Sequence, residues 1–387
     1  MTAEYEVGGA GHSKRWLHGT GHPIRVPVID LAEVSAGGGS IAWVDPGVAL
    51  RVGPQSAGAD PGPAAYGKGG REPTVTDADV VLGRLDREAL LGGALSIDPA
   101  AAEAAIRERV GSPLGLETTE AAAAIVEVAN HSMAAALLIV SLERGHDPRE
   151  FALIAFGGAG PAHAAALADE LGIPEIIIPP APGAFSALGL VASDFRRDYS
   201  HTLYADLATL DPARAAALLA EMEGKAREML AASGIPPERR ALLRAADVRY
   251  RRQAHELTVP LADGPITRAR LDELAALFHE KHQQTYGHAN PAEAVQLVNL
   301  RLTAIGRLPR LALAQRSDGA EARRRMREVW FAETGFAPTP VHWRDGLAAG
   351  EALRGPAIVE ALDTTIVVPP GWIAMVETGG YIRLRRR

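Results

Sequence analysis

The run Phe151-Ala-Leu-Ile-Ala-Phe-Gly-Gly-Ala-Gly-Pro-Ala-His163 decides the fold class, because a short apolar strand enters a glycine turn and leaves it as a helix. Glycines at 157, 158 and 160 tolerate positive φ and carry no side chain. Their amide N–H groups can therefore approach a phosphate or lie beneath a nucleoside. Pro161 suits the first helical position, where a missing N–H is no loss. Without a ligand, the same turn reads as a tight corner. Continued to residue 178, the segment alternates strand, helix and strand, which predicts an α/β layer.

A second glycine cluster lies upstream. Pro27-Val-Ile-Asp-Leu31 and Ile41-Ala-Trp-Val44 read as strands, and between them runs Glu33-Val-Ser-Ala-Gly-Gly-Gly-Ser40. This is either a loop tip with outward amides, suited to phosphate, or a flexible connection. Leu50 to Gly67 is too rich in Gly and Pro for a helix or a central strand, yet it carries Arg51, Ser56, Asp60 and Tyr66 at irregular positions. A long ordered loop of this kind is usually functional. Asp60 reads as an ion ligand, a loop-forming residue or a turn cap. Asp77 and Asp79, after Thr74 and Thr76, read as helix caps. His163 sits one turn into the helix, placed either to contact nucleotide or substrate or to bond its own backbone.

Composition narrows the chemistry. At 47% hydrophobic residues the 387-residue chain can bury a large core in two or three domains, and its net charge of −7 provides no basic field for nucleic acid. With no cysteine, disulfides, thiolate ligands and cysteine nucleophiles are excluded. The start, Met1-Thr-Ala-Glu-Tyr-Glu-Val7, has neither a basic region nor an apolar core, so a cytoplasmic protein is expected. The longest apolar helix, about 120–144, is interrupted by Glu127, Asn130, His131 and Glu143 and reads as a core helix rather than a membrane span. Thr118 or Thr119 can cap its start, and Gly145 with Pro148 ends it.

Beyond residue 205 a second region begins, with helices at about 212–233 and 267–285 and strands at 247–250, 255–260 and 298–304. Residues 315–328 read as a charged connector and 356–384 as a compact β module. Two histidine groups call for a bland reading: His12, His18 and His22 as loop residues, and His279, His282 and His288 as partly exposed structural residues. No metal site and no Ser-His-acid triad is assigned from spacing.

The strings AGGGSIAWVDPG, LRVGPQSAGADPGPAAYGKGG, EPTVTDADVVLGRL, FALIAFGGAGPAHAAALADELGIP and PPAPGAFSALGL resemble the hydantoinase A, 5-oxoprolinase and acetone carboxylase family. RYRRQAHELTVP, HQQTYGH, VQLVNLRLTAIG and GPAIVEALDTTIVVPPGW resemble that family's C-terminal domain. The resemblance implies an actin-like (ribonuclease H-like) ATPase half-core at 1–204, a C-terminal α/β domain at 205–314, and a connector with β module at 315–387. It further implies ATP with Mg²⁺ or another divalent cation, and hydrolytic opening of a small cyclic amide such as 5-oxoproline or a hydantoin. A hydantoinase B-like partner subunit is also implied. Gly37, Gly38, Gly39 and Ser40 would handle phosphate, and Gly157, Gly158, Ala159 and Gly160 would wall the adenosine. Asp60 and His163 are the candidates for a catalytic role.

One departure stands out. The family's Asp-Gly-Gly-Thr phosphate elements are missing, since the Asp-Gly pairs at 263, 318 and 345 are not followed by Gly or Thr. The expectation is a chain that lacks an N-terminal lobe, supplied in cis or in trans, and that is inactive alone. The other readings are a subunit of an acetone- or acetophenone-type carboxylase, and a catalytically incomplete partner-binding fragment.

Overall fold

The computed structural model describes residues 4–6, 27–29, 34–142, 145–310 and 324–387. His12, His18, His22, Glu143 and most of the expected connector lie outside them. The chain forms two compact units, Met1–Ala187 with Leu313–Arg387, and Leu188–Ala312.

In the first unit, β1 (Glu4–Glu6) pairs with β2 (Pro27–Ile29), and β3 (Ser40–Val44) with β4 (Leu50–Ser56). The Gly- and Pro-rich stretch after residue 50 thus opens with a strand, which the sequence reading did not anticipate. A two-stranded hairpin has only edges, and an edge tolerates Pro. Next come α1 (Val75–Val81), the small hairpin β5 (Ala89–Leu90) and β6 (Leu95–Ser96), α2 (Pro99–Ile106) and α3 (Thr118–Ser141). Glu117 occupies the N-cap of α3, and its N–H donates to Glu120 Oε2 at 3.1 Å, so the cap is one residue earlier than the threonines expected. By length and composition α3 could cross a bilayer. Ala121, Ala122, Ile125, Val126 and Ala129 repeat at helical spacing and are buried against α1 and α2, so the first half of α3 packs into the core, whereas Leu138 and Ile139 near its end are exposed.

The glycine turn falls where expected, between β7 (Ala152–Ile154) and α4 (Gly160–Leu171), with β8 (Glu175–Ile178) parallel to β7 and α5 (Phe185–Ala192) after it. Ala164, Ala168 and Leu171 of α4 bury against Ile176 and Ile178, and Ala134 of α3 joins the same core.

The second unit is an antiparallel sheet in the order β11-β10-β12-β9 with two helices. Its elements are β9 (Phe195–Asp206), α6 (Pro212–Ala232), β10 (Arg240–Tyr250), β11 (Leu257–Leu261), α7 (Arg268–Tyr286) and β12 (Val295–Gly306). Leu219 and Leu230 of α6 and Leu271, Leu274 and Phe278 of α7 share one core with Val248, Leu297, Leu300 and Leu302. Each such side chain contributes roughly 1.5–3 kcal/mol by leaving water. His279, His282 and His288 belong to this unit; His282 is buried, with its ring nitrogens near the His288 carbonyl and Gln253.

The chain then re-enters the first unit as β13 (Arg324–Phe331), β14 (Gly335–Trp343), β15 (Ala352–Arg354), β16 (Ala357–Glu360), β17 (Thr365–Val368), β18 (Trp372–Val376) and β19 (Ile382–Arg386). Two sheets result, β13-β14-β16-β17 and β15-β18-β19-β8-β7. The partition differs from the expected one in two places. Residues 195–204 belong with the second unit, because β9 is hydrogen-bonded along β12. Residues after 324 do not stand apart, because β19 pairs antiparallel with β8 and completes the sheet that leads into the glycine turn.

Candidate functional site

The site is built around the start of α1. Thr74 caps the helix by accepting from Asp77 N–H, and Asp77 returns the bond by accepting from Thr74 N–H at 2.8 Å. The same carboxylate accepts from the Thr74 hydroxyl at 2.7 Å and from Ala64 and Ala65 N–H at 3.2 and 2.7 Å. Asp77 thereby pins the loop at 64–65 to the helix start. Burial pushes its carboxyl above the ordinary 3.8, against the pull of the Ala65, Thr74 and Ala64 donors. The capping role read for Asp77 is thus seen directly, whereas Asp79 caps nothing.

From the second residue of α1, Thr76 N–H donates to Gly38 O at 2.9 Å. A β-carbon on Gly38 would stand 2.8 Å from Thr76 Oγ1 and 3.9 Å from the Ala159 methyl. The loop 37–40 and the turn 157–160, more than a hundred residues apart in sequence, therefore lie side by side. On the other flank Ala57 N–H donates to Gly39 O at 2.8 Å, which brings in the segment leading to Asp60. Asp60 itself is exposed, and among the described residues no three His, Asp or Glu side chains form a metal-binding group. Ser40 commits its hydroxyl to the loop: it accepts from Gly37 N–H at 3.0 Å and donates to Ser35 O at 3.2 Å.

The turn is held from its other side. Gly157 N–H donates to Pro182 O, the Thr364 hydroxyl donates to Gly158 O, and Gly183 N–H donates to Asp363 Oδ2, each at 2.8 Å. Of the three glycines only Gly157 has positive φ, +84°; Gly158 does not, and a β-carbon there would meet nothing nearer than Asp363 O at 3.6 Å. Ala159 is the N-cap of α4 and supplies no side-chain cap; Pro161 has no N–H and Ala162 N–H donates to Ala159 O at 2.9 Å, so the donors at the helix start are the N–H groups of Ala159 and Gly160. Backbone donors at a helix start beside a glycine loop suit a phosphate-bearing ligand.

His163 points away from solvent. Only 1% exposed, it places Nδ1 2.8 Å from Asn130 Oδ1 of α3 and Nε2 4.0 Å from Asp79 Oδ2 of α1. Burial holds the imidazole below its ordinary 6.5, the Asp79 charge opposes that shift, and Arg84 adds to it. Neither sequence-level reading of His163, a ligand contact or a backbone bond, describes this arrangement. Thr76, Asp79, Asn130, Asp363 and Thr364 were not singled out as site residues. Asn130 did carry a signal, since it falls on the helix face of Val126 and Ala134, where a buried amide requires a partner.

The hydantoinase/oxoprolinase family model matches residues 1–199, and the hydantoinase/oxoprolinase C-terminal domain model matches residues 212–386. An uncharacterised protein of Methanocaldococcus jannaschii is 44% identical over the whole chain, which covers 55% of that protein. The crystal structure of an ATP-dependent caprolactamase from Pseudomonas jessenii is 37% identical with a TM-score of 0.71, covering 94% of this chain and 54% of that one. A nucleotide-free acetone carboxylase structure is 26% identical with a TM-score of 0.83 over the same shares, 94% and 54%. The chain thus spans about half the length of these relatives. Matched along nearly its full length by both models, the chain belongs to the hydantoinase/oxoprolinase family.

Proposed function

We propose that this chain forms one half of an actin-like nucleotide site in an ATP-dependent enzyme that opens a cyclic amide. The observation that carries the reading is the meeting of Gly38 with Ala159 over Thr76, which makes one surface from two glycine loops. Gly37, Gly38 and Gly39 offer backbone to phosphate; Ser40 serves by holding that loop closed. Gly157, Gly158, Ala159 and Gly160 wall the nucleoside, and the α4 start adds the N–H groups of Ala159 and Gly160. Gly38 itself is packed against Thr76, whereas β-carbons at Gly37, Gly157 and Gly160 would meet nothing within 4 Å, so it is the backbone at these positions that lies open to a nucleotide. ATP would supply a phosphoryl group to the amide oxygen, leaving ADP, which makes the carbonyl carbon electrophilic enough for water to add; the ring C–N bond then breaks and phosphate is released. Mg²⁺ belongs to this reading with the nucleotide, and among the described residues no three His, Asp or Glu side chains group together to hold it. Asp60 and His163 receive no catalytic role.

The likeness to an ATP-dependent caprolactamase supports the amide branch. The likeness to acetone carboxylase supports a second reading, ATP-dependent carboxylation of a ketone. In either branch we infer that the substrate site is completed by a further lobe and by a partner of the hydantoinase B kind. Calorimetric MgATP binding, with that lobe supplied, tests the nucleotide site. Gly158→Val should fold, since the backbone there is unstrained, and should lose binding because the side chain enters the nucleoside space. Wild-type affinity in the folded variant removes the turn from the site. Turnover with caprolactam, 5-oxoproline, hydantoin and acetone then separates the branches.

A further inference from the structure

We propose that His163 is a positioning residue that keeps the two glycine loops in register, by linking the helix that starts at one loop to the helix that holds the other. Thr76 and Asp79 lie three residues apart on α1, one turn along the same face. Gly160 and His163 have the same spacing at the start of α4. At the first level α1 meets the loops, with Thr76 N–H on Gly38 O and Ala159 beside Gly38. One turn further in, Asp79 meets His163 across 4.0 Å, and Asn130 of α3 fixes the far side of the ring at 2.8 Å. The two levels form one ladder between the helices. Movement at the inner rung therefore displaces the outer one.

The inner rung is built unusually. His163 Nε2, Asp79 Oδ1 and Arg84 Nε are buried and have no hydrogen-bond partner among the described residues. Unpaired polar atoms in a core are disfavoured, so their concentration between the two loop-bearing helices points to a role there. With Nδ1–H donating to Asn130 Oδ1, Nε2 carries a lone pair that faces a carboxylate. A proton on Nε2 converts this acceptor–acceptor approach into a charge-assisted pair and draws the helices together. The charged groups facing the ring are Asp79 and, 3.6 Å beyond it, Arg84; α3 contributes the uncharged Asn130. Burial favours the neutral ring and the Asp79 charge opposes it, so a proton on Nε2 would change the register between the helices. Acidification should shift it.

This inference gives the nucleotide reading a further part, yet its test needs no nucleotide. Hydrogen exchange of the 387-residue chain, read by mass spectrometry, follows 36–41 and 157–162 separately. As pH falls below 6.5, after correction for intrinsic rates, protection of both segments should change together in the wild type, and no joint change down to the onset of acid unfolding overturns the proposal. His163→Gln, which keeps an amide toward Asn130 but cannot titrate, should stay folded and lose this response. His163→Ala should lower protection of both segments by about tenfold on either side of pH 6.5, while Thr74→Ala, which weakens the α1 cap without touching the rung, should not reproduce the joint change. A pH response that persists in His163→Gln, or an effect of His163→Ala confined to 157–162, overturns the proposal. Absent MgATP binding with intact joint exchange behaviour would instead count against the nucleotide reading alone.

Discussion

At Gly38 the room for a side chain ends at the Thr76 hydroxyl, 2.8 Å from where a β-carbon would sit, whereas at Gly158 the first atom met is 3.6 Å away. The two glycines therefore do different work. Gly38→Ala is expected to lower unfolding stability by about 1–3 kcal/mol, because the methyl must displace Thr76 or the loop. Gly158→Ala should stay within about 0.5 kcal/mol of wild type. Urea titration of both variants distinguishes them, and equal losses would contradict the close approach. His163 sets a pH dependence of its own. Its folded form titrates below 6.5, so between that lower value and 6.5 the unfolded chain binds more protons. The stability it contributes is complete above 6.5 and is lost as pH falls through that window. Stability measured across the window should rise with pH in the wild type, and the rise should shrink in His163→Gln.

Among the strands, β10 carries a carboxylate that no other element could replace. Asp247 is fully buried and receives the Arg301 guanidinium Nε at 2.6 and 2.7 Å, the Thr258 hydroxyl at 2.7 Å and the Asn299 amide at 2.9 Å. These donors come from β11 and β12, so one side chain ties three strands. Asp247→Ala should cost about 1–3 kcal/mol by leaving the Thr258 hydroxyl and the Asn299 amide without their buried acceptor. Exchange protection should fall across β10 to β12 and be unchanged in α1 to α4; a uniform loss over both units would contradict this assignment. Elements of this kind were unevenly legible in the sequence. Helices α4, α6 and α7 could be read from periodicity and capping signals, because those depend on neighbours three and four residues away. β9 was missed: it is an edge strand with most residues exposed, so it lacks the alternation that marks a half-buried strand. The two glycine clusters were legible as loops, but not the inner rung behind them. Asp79, Asn130 and His163 come from three helices, and no local pattern records which helices pack together.

Taken as a whole, the chain places the return segment after 324 in the same unit as the glycine turn, although β19 and β8 lie some two hundred residues apart. Pairing over such a distance leaves no trace in local composition, which is why the C-terminal strands read as a separate module. The completed sheet ends at β7, where Ile154 is 52% exposed and is flanked by exposed Phe151 and Phe156. An apolar end strand with open backbone groups favours association. Phosphoryl transfer, for its part, needs phosphate donors, metal ligands and a positioned nucleophile in one closed cleft. The described residues provide loop backbone and a helix start, with no cluster of metal-binding side chains, in a chain about half as long as its relatives. The 387-residue chain by itself is therefore expected to show no ATP turnover stimulated by 5-oxoproline or hydantoin, and a solution mass above that of the monomer. Turnover should appear when the polypeptide corresponding to the relatives' other half is added, with the solution mass shifting to a defined complex. Phosphate release with Mg²⁺ present and light scattering of the same samples measure both. Robust substrate-stimulated turnover by a monodisperse monomer, with contaminating ATPases excluded, would mean that these loops already enclose a complete active site.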